Sequence, residues 1–583
     1  MDGWAIALDH IPIDIRLSRA CHPRPPSRRY AIRKLDRAGL EERIKLSGWE
    51  TDQDPLSKIK IVVKEALDQC CPRAKPHEKA NHRWSPRAAE LLVGARRARR
   101  AYLSTLQAHH YQAMRSFQNL LKKELRRGGR SAWRRFIQEI TTSKQLPHNK
   151  GLWRMSRWSK QTPGTSAALL PPLRRNDQEQ VTLSNEGRAQ ILAEKFFPRA
   201  SLADLSDIAS GQQAANTLDV PAEVTPKQLE EVIRKLPNGR APGPDGIPNE
   251  ILKVIAPIVS KDLAHAISKQ LESGMIPNSY KESTTVVLRK ERKKDYSLPS
   301  SYHPVALEDT LAKVMEKIVA TRIAETAEEH ALLSWNQMGA RKKRSTTSAI
   351  DLLTACVETA WGSRNGCVVS MLSLDISGAF DHVSKERLLW ILRRKGLPEW
   401  IINYVGSFMH GRRTRIAFDG DESDWFQTDA GIPQGSPLSP ILFLFFISEL
   451  LEGMQNAKDG AFGFGFVDDT NLITWGSSAQ ENCRRLEGVH DKCIAWAKRH
   501  GAKFAPDKYQ LIHFTKRKRD PSGDLASTVR FDGQEVKPET KLRVLGVWVD
   551  PKMSWKEQVK QAACKGNAAF EALSRITAST WGP

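Results

Sequence analysis

No run of about 18 apolar residues occurs anywhere in the 583-residue sequence, so nothing in it reads as a membrane span. The first ten residues, Met1 to His10, lack the basic segment and long apolar core of a secretory signal. Eight cysteines are present without a single Cys-x-x-Cys pair. Cys70 and Cys71 are adjacent, which suits neither a zinc knuckle nor a local disulfide, and the set reads as reduced thiols of an intracellular protein. Acidic residues are also scarce. There are 66 Asp and Glu against 90 Lys and Arg, a net charge of +24 and a pI near 9.7. That balance favours a polyanionic partner, either nucleic acid or an acidic membrane surface. The shortage is local: residues 81–160 hold 19 Lys or Arg and 3 acidic residues, a net of +16. So concentrated an excess points to a binding surface rather than to general solubility.

The length leaves room for several domains, and 40% hydrophobic residues are enough for a substantial core. Residues 21–82 are rich in proline and charge, with one helical patch at 59–67, and read as a linker. Ser85 and Pro86 are a good N-cap and first helical residue. From there Leu92, Ala95, Tyr102, Leu106, Ala113, Phe117 and Leu120 recur at helical steps, and Gly128-Gly129 predicts a break before Ser131. Residues 83–215 are thus expected to form a basic helical extension, loop-rich beyond Thr162. Its charge serves either a solvated helix face or phosphate contacts that ignore base sequence. A denser domain starts near Thr225.

Chemistry concentrates in three places. Val368 to Ile376 reads as a strand that delivers Asp375 at its C-terminal end, followed by the turn Ser377-Gly378-Ala379 and a helix capped by Ser384. Gly431-Ile-Pro-Gln-Gly-Ser-Pro-Leu-Ser-Pro440 is a Gly-rich turn feeding an apolar helix, with Ser439 expected as its cap and Pro440 as its first residue. In that turn Gln434 could hydrogen-bond a ligand. Ala461 to Thr474 reads as a β-hairpin with Asp468 and Asp469 at its tip. Alone, that pair is either a polar turn or a cation site, because adjacent carboxylates repel. If strand and hairpin are neighbours, three carboxylates converge with no histidine or cysteine among them. All-oxygen ligation favours Mg²⁺ or Mn²⁺, and two hard cations suit in-line displacement at phosphorus.

The order Leu374-Asp-Ile-Ser-Gly-Ala-Phe-Asp381, Gly431 to Pro440 and Phe466-Val-Asp-Asp469 closely resembles the reverse transcriptase of non-LTR (LINE-type) retrotransposons. Ala241 to Ile247, Ser301 to Val305 and Arg344 to Thr347 extend the likeness upstream. Phe504 to Phe514 and Leu545 to Val549 extend it downstream. The resemblance implies an α+β right-hand polymerase fold, with fingers and an antiparallel palm sheet over 225–550. An incomplete thumb would begin at 551–583.

It also implies roles. Asp375, Asp468 and Asp469 would ligate metal together with the Ile376 carbonyl, and Phe380 would exclude a ribose 2′-hydroxyl. Gln434 and Gly435 would line the nucleotide, Ser436 the template or primer, and Arg341 and Arg344 would bind nucleotide from the fingers. Lys508 matches a late lysine able to protonate pyrophosphate, or is a plain surface lysine. The partners would be an RNA template, a DNA primer at a nicked target site and dNTPs, with no membrane and with residence in the nucleus; oligomeric state has no signature here. Two departures stand out. His303 replaces an arginine in Tyr302-His303-Pro304, and Lys290-Glu291-Arg292 replaces a Lys-Pro-Gly turn. Residues 1–20 resemble the last segment of an apurinic-type endonuclease, so the chain is expected to be an internal piece of a polyprotein without nuclease activity. The rival readings are a catalytically silent nucleic-acid-binding remnant and a polymerase like those of group II intron maturases.

Overall fold

The computed structural model describes residues 30–73, 84–142, 170–176, 179–198, 203–208, 217–290, 293–428, 430–455, 460–531 and 533–577. The endonuclease-like tail at 1–20 and the departure at Glu291-Arg292 lie outside them.

The stretch expected to be a linker is folded from residue 30 to 73. Helices α1 (Arg37–Lys45) and α2 (Pro55–Cys70) begin on Asp36 and Asp54, whose carboxylates accept the Gly39 and Ser57 N–H groups. Leu56, Ile59, Val63, Ala66 and Leu67 form one apolar stripe on α2. That stripe is buried in the same core as Leu263 and Ile267 of the helix Asn249–Ser273. Proline and charge at the flanks hid an element whose burial partners lie about 200 residues away.

Helices α3 (Pro86–Thr105) and α4 (Ala108–Thr142) pack against each other. Ser85 caps α3 as expected. The chain turns at Leu106, in the left-handed region, and α4 then runs unbroken through Gly128-Gly129, where a break was expected. Gly94 lies flat against the Phe117 ring, so the two helices approach closely. Arg96, Arg97, Arg99, Arg100, Lys122 and Lys123 are exposed along the pair.

Two sheets organise the rest. The first has strand order β2–β1–β4–β5, built from β1 (Glu282–Arg289), β2 (Tyr302–Glu308), β4 (Arg413–Phe418) and β5 (Asp421–Glu422), with β6 (Phe426–Gln427) also on β4. Strand β3 (Val368–Leu374) belongs to the second sheet, together with β7 (Ala461–Phe466), β8 (Asp469–Gly476) and β9 (Gln510–Thr515). Its order is β7–β8–β3–β9 and every pairing is antiparallel. Both faces of this sheet are buried, following the two-residue alternation of a strand. Leu372, Leu374, Leu472 and Leu511 join the larger core with helices 439–453 and 479–500. Val369, Met371, Ile473, Ile512 and Phe514 face a smaller core with helix 346–363. Among the described residues no helix is long and apolar enough to cross a membrane.

Candidate active site

Strand β3 ends beside the hairpin tip. Its last residue, Leu374, pairs with Thr470, so Asp375 emerges next to Asp469. The hairpin forms as the sequence indicates: Phe466 pairs with Asp469, and Val467 and Asp468 make the turn. Asp375 is fixed from behind, where its backbone carbonyl accepts the Ala505 N–H at 2.9 Å and Ile376 bridges to Phe504.

Asp468 and Asp469 are both shifted by their surroundings. Burial, and then the charge of Asp375, raise Asp468 above the usual carboxylate range. Burial, and then the charges of Asp468 and Asp375, raise Asp469 to about 6. Both side chains still touch solvent, so the desolvation comes from the protein packed around and beneath them. Lys508, delivered by the short helical turn 506–508, places Nζ 2.8 Å from Asp375 Oδ2. Among the described residues no three His, Cys, Asp or Glu side chains are already gathered as a ligand set. The donors nevertheless fit a hard cation in kind, being all oxygen and mutually repelling. Of the two Asp375 oxygens, Oδ2 is the one engaged by Lys508.

The Gly-rich turn lies against the first sheet. Gln434 O accepts the Ala306 N–H at 2.8 Å, and Gly435 (φ +131°) sits where a Cβ would meet Ala306 O at 2.7 Å. Gln434 Nε2 donates to Asp381 Oδ1 at 2.9 Å. Burial lifts Asp381 to about 6, against the opposing pull of that hydrogen bond. Phe380 stacks on Phe443 with centroids 5.0 Å apart, and its carbonyl accepts the Ile432 N–H.

Several residues expected at the ligand surface are committed elsewhere. Ser436 is buried, and its hydroxyl donates to Glu316 at 2.6 Å, which leaves it nothing for template or primer. Beneath it, burial and the charge of Glu308 push Glu316 well above the carboxylate range. Ser439 is no cap; its hydroxyl donates to Pro433 O, and Leu438 precedes the helix. Arg341 grips Glu328 with both arms of its fork at 2.7 and 2.8 Å and is 4% exposed. Arg344 donates to the Trp335 and Gln337 carbonyls. Both arginines brace the segment 334–338 instead of presenting free guanidinium to a nucleotide. His303 is exposed on β2, and partial desolvation of its ring, then the charges of Lys290 and Lys293, hold its pKa below the usual value.

Residues 291–549 match the family described as "Reverse transcriptase (RNA-dependent DNA polymerase)". This stretch, which holds the carboxylates, the Gly-rich turn and Lys508, is a reverse transcriptase domain. The likeness beyond it is to the RNA-directed DNA polymerases of non-LTR retrotransposons. The chain is 23% identical to the probable RNA-directed DNA polymerase from transposon BS of Drosophila melanogaster, over 96% of this chain and 62% of that protein. It is 24% identical to the RNA-directed DNA polymerase from mobile element jockey of Drosophila funebris, over 99% of this chain and 63% of that protein. The chain therefore spans about three fifths of the length of these relatives. A solved apo telomerase from Candida tropicalis overlaps 52% of this chain and 67% of its own, with 14% identity and a TM-score of 0.33.

Proposed function

We propose that the chain is an RNA-directed DNA polymerase that extends a primer 3′-hydroxyl on an RNA template, with a nicked target site as the source of the primer. The observation that carries this reading is the meeting of Asp375 with Asp468 and Asp469 at the ends of adjoining antiparallel strands, where the charge of Asp375 raises the proton affinity of the other two. In this reading the β7–β8–β3–β9 sheet is the palm, the β2–β1–β4 region belongs to the fingers, and helix 556–577 begins the thumb.

Asp375, Asp468, Asp469 and the Ile376 carbonyl would hold two Mg²⁺ or Mn²⁺ ions, which when bound would acidify the primer hydroxyl and neutralise charge on the leaving pyrophosphate. The primer oxygen forms a bond to the α-phosphorus as the bond to pyrophosphate breaks. Phe380, held by Phe443, closes the floor beneath C2′ of the sugar and rejects a hydroxyl there. Gln434, steadied by Asp381, lines the incoming nucleotide, and the tight backbone at Gly435 lets it approach. Lys508, once detached from Asp375, gives its proton to the departing pyrophosphate. The α3–α4 pair adds phosphate contacts to RNA without reading its bases. Nuclear residence follows from the site where such an element inserts.

A silent binding remnant is disfavoured by the complete carboxylate trio. Primer extension on an RNA template with Mg²⁺ or Mn²⁺ tests the choice. The wild type should incorporate dNTPs and Asp468→Ala should abolish it. Equal inactivity of both proteins, with RNA still bound, would overturn the polymerase reading.

A further inference from the structure

The turn that presents the carboxylates is built on an uncomfortable residue. Val467 has φ +61°, in the left-handed region that β-branched side chains avoid. Two-residue hairpin turns usually place glycine or asparagine at such a position. Here the conformation is imposed from outside the hairpin, by a segment 130 residues earlier in the chain.

Residues 336–338 run along β7 as a short parallel partner. Gly465 N–H donates to Asn336 O at 3.1 Å, and Met338 N–H donates to Gly465 O at 2.7 Å. Asn336 Nδ2 also donates to the Gly463 carbonyl. The side chain between these contacts, Gln337, is 1% exposed and turns toward the hairpin tip. Its Oε1 accepts the Val467 N–H at 3.0 Å and the Gly339 N–H at 2.9 Å. Two backbone donors converging on one atom fix which end of the amide is oxygen. The opposite end, Nε2, reaches the Val467 carbonyl at 3.4 Å. One amide therefore brackets the peptide groups on both sides of Val467.

The fit leaves no slack. A Cβ on Gly339 would stand 2.5 Å from Val467 N, and one on Gly465 would stand 3.1 Å from Gln337 Nε2. Behind Gln337, Arg344 donates to the Gln337 carbonyl, and Arg341 donates to Ser334 O at 2.7 Å while locked on Glu328. The two arginines thus hold in place the strand that carries the amide.

We infer that Gln337 is a positioning residue for the candidate catalytic turn: its side-chain amide holds Val467 in the left-handed conformation and so aims Asp468 and Asp469 at Asp375. The catalytic consequence rests on the polymerase reading above. The clamp itself does not, so the two can fail separately.

The test pairs Gln337→Met with Val467→Gly, because glycine adopts the turn conformation without being held. Two readouts are taken on the full chain: amide hydrogen exchange of the 462–470 peptide, and steady-state primer extension. Gln337→Met should speed exchange in that peptide and leave the helix 385–394 unchanged. It should lower kcat by about 10- to 100-fold, with a much smaller change in KM for dNTP, as expected for misplaced reacting groups. Adding Val467→Gly should return most of the lost kcat. If Gln337→Met does not fold, Gln337→Asn keeps the amide but withdraws it from reach and gives the same two readings. Unchanged exchange at 462–470 would overturn the clamp. Faster exchange with unchanged kcat, or a drop in kcat that Val467→Gly does not relieve, would overturn the positioning role. A wild type that extends no primer would instead defeat the polymerase reading, and the exchange rates would still decide the clamp.

Discussion

Lys508 Nζ stands 2.8 Å from Asp375 Oδ2, so in this structure a lysine satisfies the carboxylate that is the first candidate metal ligand in the chain. Both partners are partly exposed, at 56% and 40%, and the pair can open without leaving a buried charge behind. In the proposed metal-bound state a divalent cation would compete with this ammonium for Asp375.

Replacing Lys508 separates those two effects. In Lys508→Ala the Mg²⁺ concentration for half-maximal primer extension should fall, because Asp375 no longer has a resident cation. At saturating Mg²⁺, kcat should drop about 100-fold if the lysine serves as a general acid. A shift in Mg²⁺ requirement with kcat unchanged would make Lys508 an occupant of the site and nothing more.

Asp381 gives a pH signature. Its folded-state pKa of about 6 lies above the ordinary value of 3.8, so the folded protein disfavours its ionised form. The resulting cost is absent below pH 3.8 and fully present above pH 6. Asp381→Asn, which can still accept from Gln434, should raise Tm at pH 7 to 8, and the gain should shrink as pH falls through 6. A gain that stays constant from pH 8 to pH 5, measured by thermal melts, would rule out a titrating Asp381 as its source.

Phe380 carries both packing and the proposed sugar selectivity. Phe380→Ala should raise ribonucleotide incorporation relative to dNTPs in single-nucleotide extension. Because the ring is half-buried against Phe443, the same change should cost about 2 kcal/mol, less than for a fully buried phenylalanine. Unchanged sugar preference at that cost would leave Phe380 a packing residue only.

Lys60 on α2 ties the early helices to the rest of the chain. Its ammonium pairs with the fully buried Asp309 and donates to Ser279 O at 2.7 Å. Asp309 in turn accepts the Asp245 N–H in the loop 241–247, and burial, then the Asp309 charge, raise Asp245 well above the carboxylate range. Lys60→Met should cost about 3 to 5 kcal/mol in urea unfolding, since it strands a buried carboxylate. Adding Asp309→Asn should recover part of that loss, and an additive double mutant would show that the pair does not couple.

Deleting residues 84–142 should flatten the dependence of RNA affinity on salt. Each phosphate that the protein ceases to neutralise takes about 0.7 to 0.9 from the slope of log K against log salt concentration. An unaltered slope in filter binding would assign α3 and α4 a purely structural role.

Much of the layout was legible because it is local. Strand alternation, the Ser85 and Ser384 caps and the acidic hairpin tip each depend on a few neighbouring residues. What the sequence hid has tertiary causes. Gly128-Gly129 looks like a break, yet Gly129 is buried along a continuous α4 that packs on α3, and tertiary contact outweighs the low helix propensity of two glycines. Ser436 and Arg341 carry the right chemistry for a ligand. Only their burial and the positions of Glu316 and Glu328 show that they are already engaged.

The sequence by itself determined that the chain holds a carboxylate at a strand end and two at a hairpin tip, in a setting free of histidine and cysteine. Those facts follow from residue order and two-residue periodicity. Only the tertiary structure decided that Lys508 sits on Asp375, that α2 reaches Asp309 through Lys60, and that Gln337 grips Val467. Each of these pairs joins residues more than 100 positions apart, and side-chain reach of a few ångström leaves no trace in sequence spacing.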